Sequence, residues 1–464
     1  MIAVIMLCMV LNGYHALLYP FDYAPKLCKD STKITFDFIV VGGGSSGATV
    51  AARLSEIPEW NVLLLEAGGD PPESTENPLL WKQHIRTKYD WAFLSEKNPF
   101  LFKGMEQERC IISRGLALGG SSSTNGMVYL RGTVQDFRLW KNKYGCHGWD
   151  YEDVLPYFKK SEDFVDVRRY NSEIHSHGGP LIVTPLETFD PAYKVIAESD
   201  KSINLIKVND LNRKEPVVGY GNVYSTTING SRCSTLKAFL IPASNRQNLY
   251  VAKNTIVTKI LIENDVAVGV NFKCSSEEIK SVFCTKEVII CAGPIKSPQL
   301  LMLSGIGPKE HLNDHGITTI KDLPVGYNLQ DHMSLPVFVF SDRKNRSTED
   351  IINESKALLK KELSLYSQKI STLGLSNLMT FYKSNDDLKF PDVQIINFRI
   401  PFNSTNLFPN KINVFTNMFG YAKEVTKLYD ELNLLSDLIV ITPVMLQPLS
   451  TGRVMLKSVN PCFN

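Results

Sequence analysis

Three glycines and one glutamate carry the first chemistry visible in this sequence. Gly42, Gly44 and Gly47 fall in GGGSSG, and Glu66 closes the run NVLLLE. Glycines spaced as G-x-G-x-x-G after a strand let the chain turn sharply into a helix. The first makes the turn, the second admits a pyrophosphate to the backbone, and the third lets helix and strand pack closely. The helix N-terminus then offers free N–H groups and the positive end of its dipole to the anion. A carboxylate about twenty residues further on accepts hydrogen bonds from a ribose. The unit binds a dinucleotide, and the pattern alone leaves NAD and FAD open.

These residues need a particular scaffold. FDFIVV at 36–41 is a buried parallel strand by composition, and ATVAARLSEI after the glycines is a helix with Ala48, Val50, Ala51 and Leu54 inward. Further on, LYVAKNTIVTKILIENDVAVGVNFKC alternates as β-structure broken at Asn-Asp, as in a hairpin or meander. A second buried strand is expected over 287–291, followed by a helix in PIKSPQLLMLSGIGP that stops at Gly305–Pro308. The late strand predicts a discontinuous nucleotide-binding domain of α/β class whose sheet it rejoins. Between these parts, CHGWDYEDVLPYFKKSED predicts an amphipathic helix beginning after Asp150. Beyond residue 333, helix-like ESKALLKKELSLYSQK mixes with strand-like DVQIINFRI, KINVFTNMF and DLIVITPVML. A second α+β domain follows, placed to shape a pocket over the cofactor.

GLALGGSSSTNGMVYLRG at 115–132 poses a sharper question. Its composition is that of a flexible linker. Its run of small residues also suits a nest of backbone N–H groups around an anion.

Bulk properties exclude several classes. The chain has 464 residues, a net charge of +2 and 44% hydrophobic residues, which gives no electrostatic reason for a nucleic-acid partner. MIAVIMLCMVLNGYHALLY is too short for a stable membrane span and reads as a signal peptide over 1–19, with a cut near Ala16. The alternative is an apolar extension packed on the fold. Secretion permits disulfides among the eight cysteines other than Cys8, without pairing them, and makes the sequons at Asn229, Asn345, Asn353 and Asn403 candidate glycosylation sites. No metal site is expected. His175 and His177 in HSHGGP read as loop residues, and Leu312 stands where H-E-x-x-H between His311 and His315 would need its glutamate.

The chain resembles the glucose–methanol–choline (GMC) flavin oxidoreductases, most of all the secreted glucose-dehydrogenase-like members of arthropods. The resemblance runs from about Phe36 to the last residues. It is carried by FIVVGGGSSGATVAARLSE, VLLLEAGGD, SRGLALGGSSSTNGMVYLRG, GWDYEDVLPYFKKSED, AGPIKSPQLLMLSGIGP, LPVGYNLQDH and TGRVMLKS. It implies FAD as cofactor, in a discontinuous Rossmann-like domain over 34–330 with substrate-domain insertions, and a partial α+β substrate-binding domain over 331–464. Gly42, Gly44, Ser45 and Gly47 would meet the FAD pyrophosphate, and Glu66 the adenosine ribose. Gly119, Gly120, Ser121 and Ser122 would line the phosphate and flavin side, with Asn125 near the isoalloxazine ring. Val257 would hold the adenine through its backbone, and Asp331–His332 would be structural.

The implied reaction oxidises the CH–OH group of a small alcohol or sugar. A histidine takes the hydroxyl proton while hydride leaves for flavin N5, and oxygen or a quinone later accepts the electrons. In the family that histidine follows the match to TGRVMLKS. This sequence ends at Asn464 and its last histidine is His332, so the catalytic base is expected beyond residue 464 and no residue here is assigned to it. Three readings follow from this ending: a partial sequence or truncated isoform of an active enzyme, a degenerate secreted copy that keeps the flavin fold without activity, or another group such as His332 acting as base.

Overall fold

The computed structural model of the chain describes residues 19–29, 35–186, 191–274, 278–340, 378–400 and 419–462, with scattered positions between 349 and 364. The first glycine-bearing unit forms as its sequence dictates. β1 (Thr35–Val41) leads through Gly42–Gly44 into α1 (Ser45–Leu54), and the chain returns in β2 (Val62–Leu65). The sheet is completed by β3 (Leu249–Ala252), β4 (Ile256–Glu263), β5 (Val266–Lys273) and β6 (Ile279–Ile290). Its order is β3-β2-β1-β6-β5-β4, with β3, β2, β1 and the C-terminal half of β6 parallel.

Burial on both faces explains the unbroken apolar runs. Phe38, Val40, Val62 and Leu64 pack with Ala48, Ala51 and Ala52 of α1 on one side. Phe36, Ile39, Leu63 and Leu65 face the other side with Phe272 and Leu300. Each fully buried Leu or Ile side chain contributes about 1.5–3 kcal/mol, so the sheet centre anchors everything its loops carry.

The expected late strand does rejoin the sheet, but it is longer than 287–291. β6 pairs in parallel with β1 from Phe283 to Ile290 and antiparallel with β5 from Ile279 to Phe283. The polar start of the strand, which sequence periodicity passed over, is held by β5 rather than by apolar burial. The Asn-Asp break is the tight turn of the β4–β5 hairpin, with Asn264 and Asp265 at φ 50° and 63°. α2 (Gly293–Leu303) follows β6 and is stopped at Gly305, whose φ is +89°.

A second six-stranded sheet runs Val337–Phe340, Leu438–Met445, Val393–Ile400, Leu378–Tyr382, Gly219–Asn222, Ile206–Lys207. Two of its strands come from the middle of the chain and four from beyond residue 333. DVQIINFRI and DLIVITPVML are therefore strands, whereas KINVFTNMF and ESKALLKKELSLYSQK fall almost wholly outside the described residues. The helix after Asp150 spans Tyr151–Ser161, with Asp150 and Asp153 forming its capping box. LPVGYNLQDH and TGRVMLKS meet through Tyr327–Leu329 and Gly452–Arg453. Cys28 is disulfide-bonded to Cys274. The run at 1–18 lies outside the described residues, as do Asn345 and Asn403, while Asn229 and Asn353 are exposed.

Candidate functional site

Two glycine turns are pressed together at the C-terminal end of the parallel strands. Gly42 has φ +100°, and a Cβ on Gly47 would stand 1.8 Å from the Gly42 carbonyl oxygen. Only glycine lets α1 start this close to β1. The second turn belongs to the questioned stretch, where Gly119 and Gly120 have φ +83° and +51°. A Cβ on Gly120 would lie 2.6 Å from the Gly44 Cα, and the Gly119 N–H donates to the Gly43 carbonyl at 2.8 Å. The stretch is therefore packed backbone and not a linker. Gly44 caps α1 with no side chain, so the N–H groups of its first turn remain available to an anion.

These turns border a cavity of about 430 Å³ lined by Gly42, Gly44, Ser45, Glu66, Gly120, Ser121 and Val257, among others. Seven of the sequence-predicted residues thus share one space. Gly47 and Gly119 do not line it but pack against Gly42 and Gly43 in its turns. Glu66 is buried at the end of β2, and its carboxylate accepts from the Gly43 N–H at 2.6 Å and the Gly68 N–H at 2.8 Å. Burial pushes its pKa up to about 7, against the lowering effect of those two N–H groups. Bare backbone for a diphosphate, a carboxylate for a ribose and apolar Val257, Leu300 and Leu303 for a base make this cavity fit a dinucleotide.

Ser122 and Asn125 do not line the cavity. The Ser122 hydroxyl donates to the Gly119 carbonyl at 2.6 Å and accepts from the Thr235 N–H at 3.0 Å. The Asn125 side-chain oxygen accepts from the Met127 N–H at 3.0 Å and from Arg232 at 2.8 Å. Arg232 was not visible as functional in the sequence. It is fully buried beneath the turn, bonded to the carbonyls of Thr75, Ser122 and Asn125, and burial draws its pKa down to about 10. The guanidinium thus fixes the backbone of SSSTN from below.

The remaining wall was also missed. Trp91 and Phe93 stack at 5.7 Å and 7°, and Lys296 and Pro461 line the cavity beside them. Only the position of Lys296 within AGPIKSPQLL could have pointed to it. Among the described residues no histidine lines this cavity. The His332 Nδ1–H donates to the Met445 carbonyl, 2.9 Å away, and His311 Nε2 accepts from the Leu456 N–H at 3.0 Å.

His175 occupies its loop in an unexpected way. It is wholly buried, stacked 3.7 Å from Phe164, with Nδ1 3.0 Å from Glu162 and Nε2 2.7 Å from Asp210. Two carboxylates facing both ring nitrogens favour the doubly protonated imidazole. Arg131 joins the cluster at 2.7 Å from Glu162. The hydrogen bonds and charges of Asp210 and Glu162 raise the His175 pKa against the opposing effect of burial, which is the largest single influence. Sequence spacing missed these partners because they come from separate segments, Glu162 on the strand Glu162–Phe164 and Asp210 and Arg131 outside any strand.

With the site described, the comparisons are specific. The family model described as GMC oxidoreductase matches residues 36–334. The chain is 34% identical over 432 residues to Glucose dehydrogenase [FAD, quinone] of Drosophila melanogaster, covering 92% of this chain and 65% of that protein. It is 34% identical over 435 residues to Ecdysone oxidase of Bombyx mori, covering 92% of this chain and 62% of that one. The chain therefore spans less than two thirds of the length of these curated relatives. Among solved structures, formate oxidase superposes with a TM-score of 0.74 at 25% identity, over 93% of this chain and 76% of its own. Pyridoxine 4-oxidase gives 0.72 at 25% identity, over 92% and 74%.

Proposed function

The chain belongs to the GMC oxidoreductase family and its cofactor is FAD; from that premise we propose that it oxidises the CH–OH group of a small alcohol or sugar. The observation that carries the proposal is the single cavity in which the two glycine turns, Glu66 and Val257 converge. Gly42, Gly44, Ser45 and Gly47 form the diphosphate turn, with Gly119, Gly120, Ser121 and Ser122 as the second loop toward the flavin. Glu66 accepts from the adenosine ribose through the lone pairs its backbone partners leave free. Val257 borders the adenine, and Arg232 fixes Asn125 and the Ser122 carbonyl beneath the second loop. Bound there, FAD would supply a two-electron acceptor able to receive hydride at N5. The substrate hydroxyl must lose its proton to a base, and none of the cavity-lining residues is assigned that task. Oxygen or a quinone accepts the electrons afterwards.

The proposal includes secretion, supported by the Cys28–Cys274 disulfide and the exposed sequon at Asn229. Among the described residues no helix is long and apolar enough to cross a membrane. The test is optical. The purified chain supplied with FAD should retain flavin bands near roughly 370 and 450 nm, and anaerobic alcohol or sugar should bleach the second. Absence of bands would refute cofactor binding by this chain. Bands that no alcohol or sugar bleaches would favour a second reading, a secreted flavin-fold protein without catalysis.

A further inference from the structure

Lys296 is a cation lining the cofactor cavity. It stands in the first turn of α2, where the helix dipole opposes positive charge. Its Nζ lies 4.4 Å from the Trp91 ring centroid, 5.5 Å from that of Phe93 and 3.4 Å from the Pro461 carbonyl oxygen. No carboxylate pairs with it among the described residues. Glu66 lines the same cavity, but both its oxygens are engaged by Gly43 and Gly68. Arg114, the other lining cation, is exposed. Desolvation draws the Lys296 pKa down to about 8, against a smaller raising effect from the nearby Cys462 thiol group.

Half-buried ammonium groups are normally paired, and lysines are disfavoured in a first helical turn. The indole face beneath Lys296 offsets part of this cost by cation–π attraction. It leaves the rest uncompensated. A diphosphate entering the cavity would bring the missing negative charge, and the glycine turns bordering the same cavity contribute only neutral N–H groups.

We propose that Lys296, held over the Trp91–Phe93 platform, is the side-chain cation for the FAD diphosphate. It completes a cradle that the glycine turns build from backbone alone. The proposal rests on the FAD site described above, so its test uses fragments of the cofactor.

The full chain freed of FAD is titrated calorimetrically with ADP and with adenosine. Lys296→Met should weaken ADP binding about tenfold, the loss of one charge-assisted contact, and leave adenosine within about twofold. Lys296→Arg should restore most of the ADP affinity. The thermal midpoint of cofactor-free Lys296→Met should equal or exceed that of the wild type, because an unpaired ammonium is gone. Unchanged ADP binding, or equal losses for ADP and adenosine, would overturn the assignment. A wild-type chain that binds neither ADP nor FAD would instead bring down the FAD site itself.

Discussion

Replacing Gly44 and Gly47 by alanine, one at a time, should separate cofactor binding from folding. Gly44 has φ −76° and ψ −162°, open to any L-residue, and an added Cβ would find only the Gly120 Cα at 3.7 Å. Gly44→Ala should therefore change the stability of the cofactor-free chain by no more than about 1 kcal/mol, with restricted unfolded-state entropy working in its favour. Its methyl would nevertheless stand on backbone that borders the cavity. Overpacking of about 1–3 kcal/mol and a displaced charge-assisted hydrogen bond should together weaken FAD binding at least about a hundredfold. Gly47→Ala is the opposite case. Its Cβ would lie 1.8 Å from the Gly42 carbonyl oxygen, so α1 must move off β1. The loss should be about 3 kcal/mol or more, with or without FAD. Denaturant unfolding of the cofactor-free proteins measures the first quantity, and quenching of flavin fluorescence the second. Equal destabilisation by the two substitutions, or wild-type FAD affinity in Gly44→Ala, would refute the reasoning.

Three further outcomes are expected. A carboxyl whose folded pKa is raised to about 7 from 4.5 costs stability progressively as pH rises between those values. Between pH 5 and pH 8 the stability of cofactor-free Glu66→Gln should therefore gain about 2–3 kcal/mol on the wild type, and a constant gap in urea titrations would contradict this. His175 has the reverse sign, since its raised pKa contributes stability fully present below 6.5 and lost as pH rises through the folded value. The deficit of His175→Gln should be largest near pH 6 and shrink on the alkaline side; comparing the two proteins cancels Lys82 and Lys296, which titrate at about 8 in both. Cys28→Ser opens a disulfide spanning 246 residues and should cost up to about 5 kcal/mol by chain entropy, read as a lower denaturation midpoint that reductant no longer shifts.

The parts readable from sequence were those in which neighbouring residues determine their own geometry. GGGSSG between FDFIVV and ATVAARLSEI specifies a turn because its strand, glycines and helix are contiguous, and Asp150 with Asp153 specifies a helix start for the same reason. β6 was shortened in prospect because its first half is stabilised by hydrogen bonding to β5, which leaves no apolar signature. Arg232, Trp91 and Lys296 were missed because each acquires its role from chain more than a hundred residues away. His175 shows the same limit: it looked like a loop residue until Glu162, Asp210 and Arg131 closed around it. The stretch 115–132 was ambiguous by composition, and contact with Gly43 and Gly44 decided it.

The Cys28–Cys274 bond has a topological consequence. It closes a covalent ring in the chain, and Gly42–Gly47, Glu66, Gly119–Ser122, Asn125 and Val257 all lie within that ring. A single proteolytic cut in any exposed loop between the two cysteines would leave the fragments tethered. They would run apart on electrophoresis only after reduction, and the cut protein would keep every strand of the FAD cradle in one molecule. The wall contributed by Trp91 would stay tethered as well, whereas Lys296 lies outside the ring and would be freed by a cut just after Cys274.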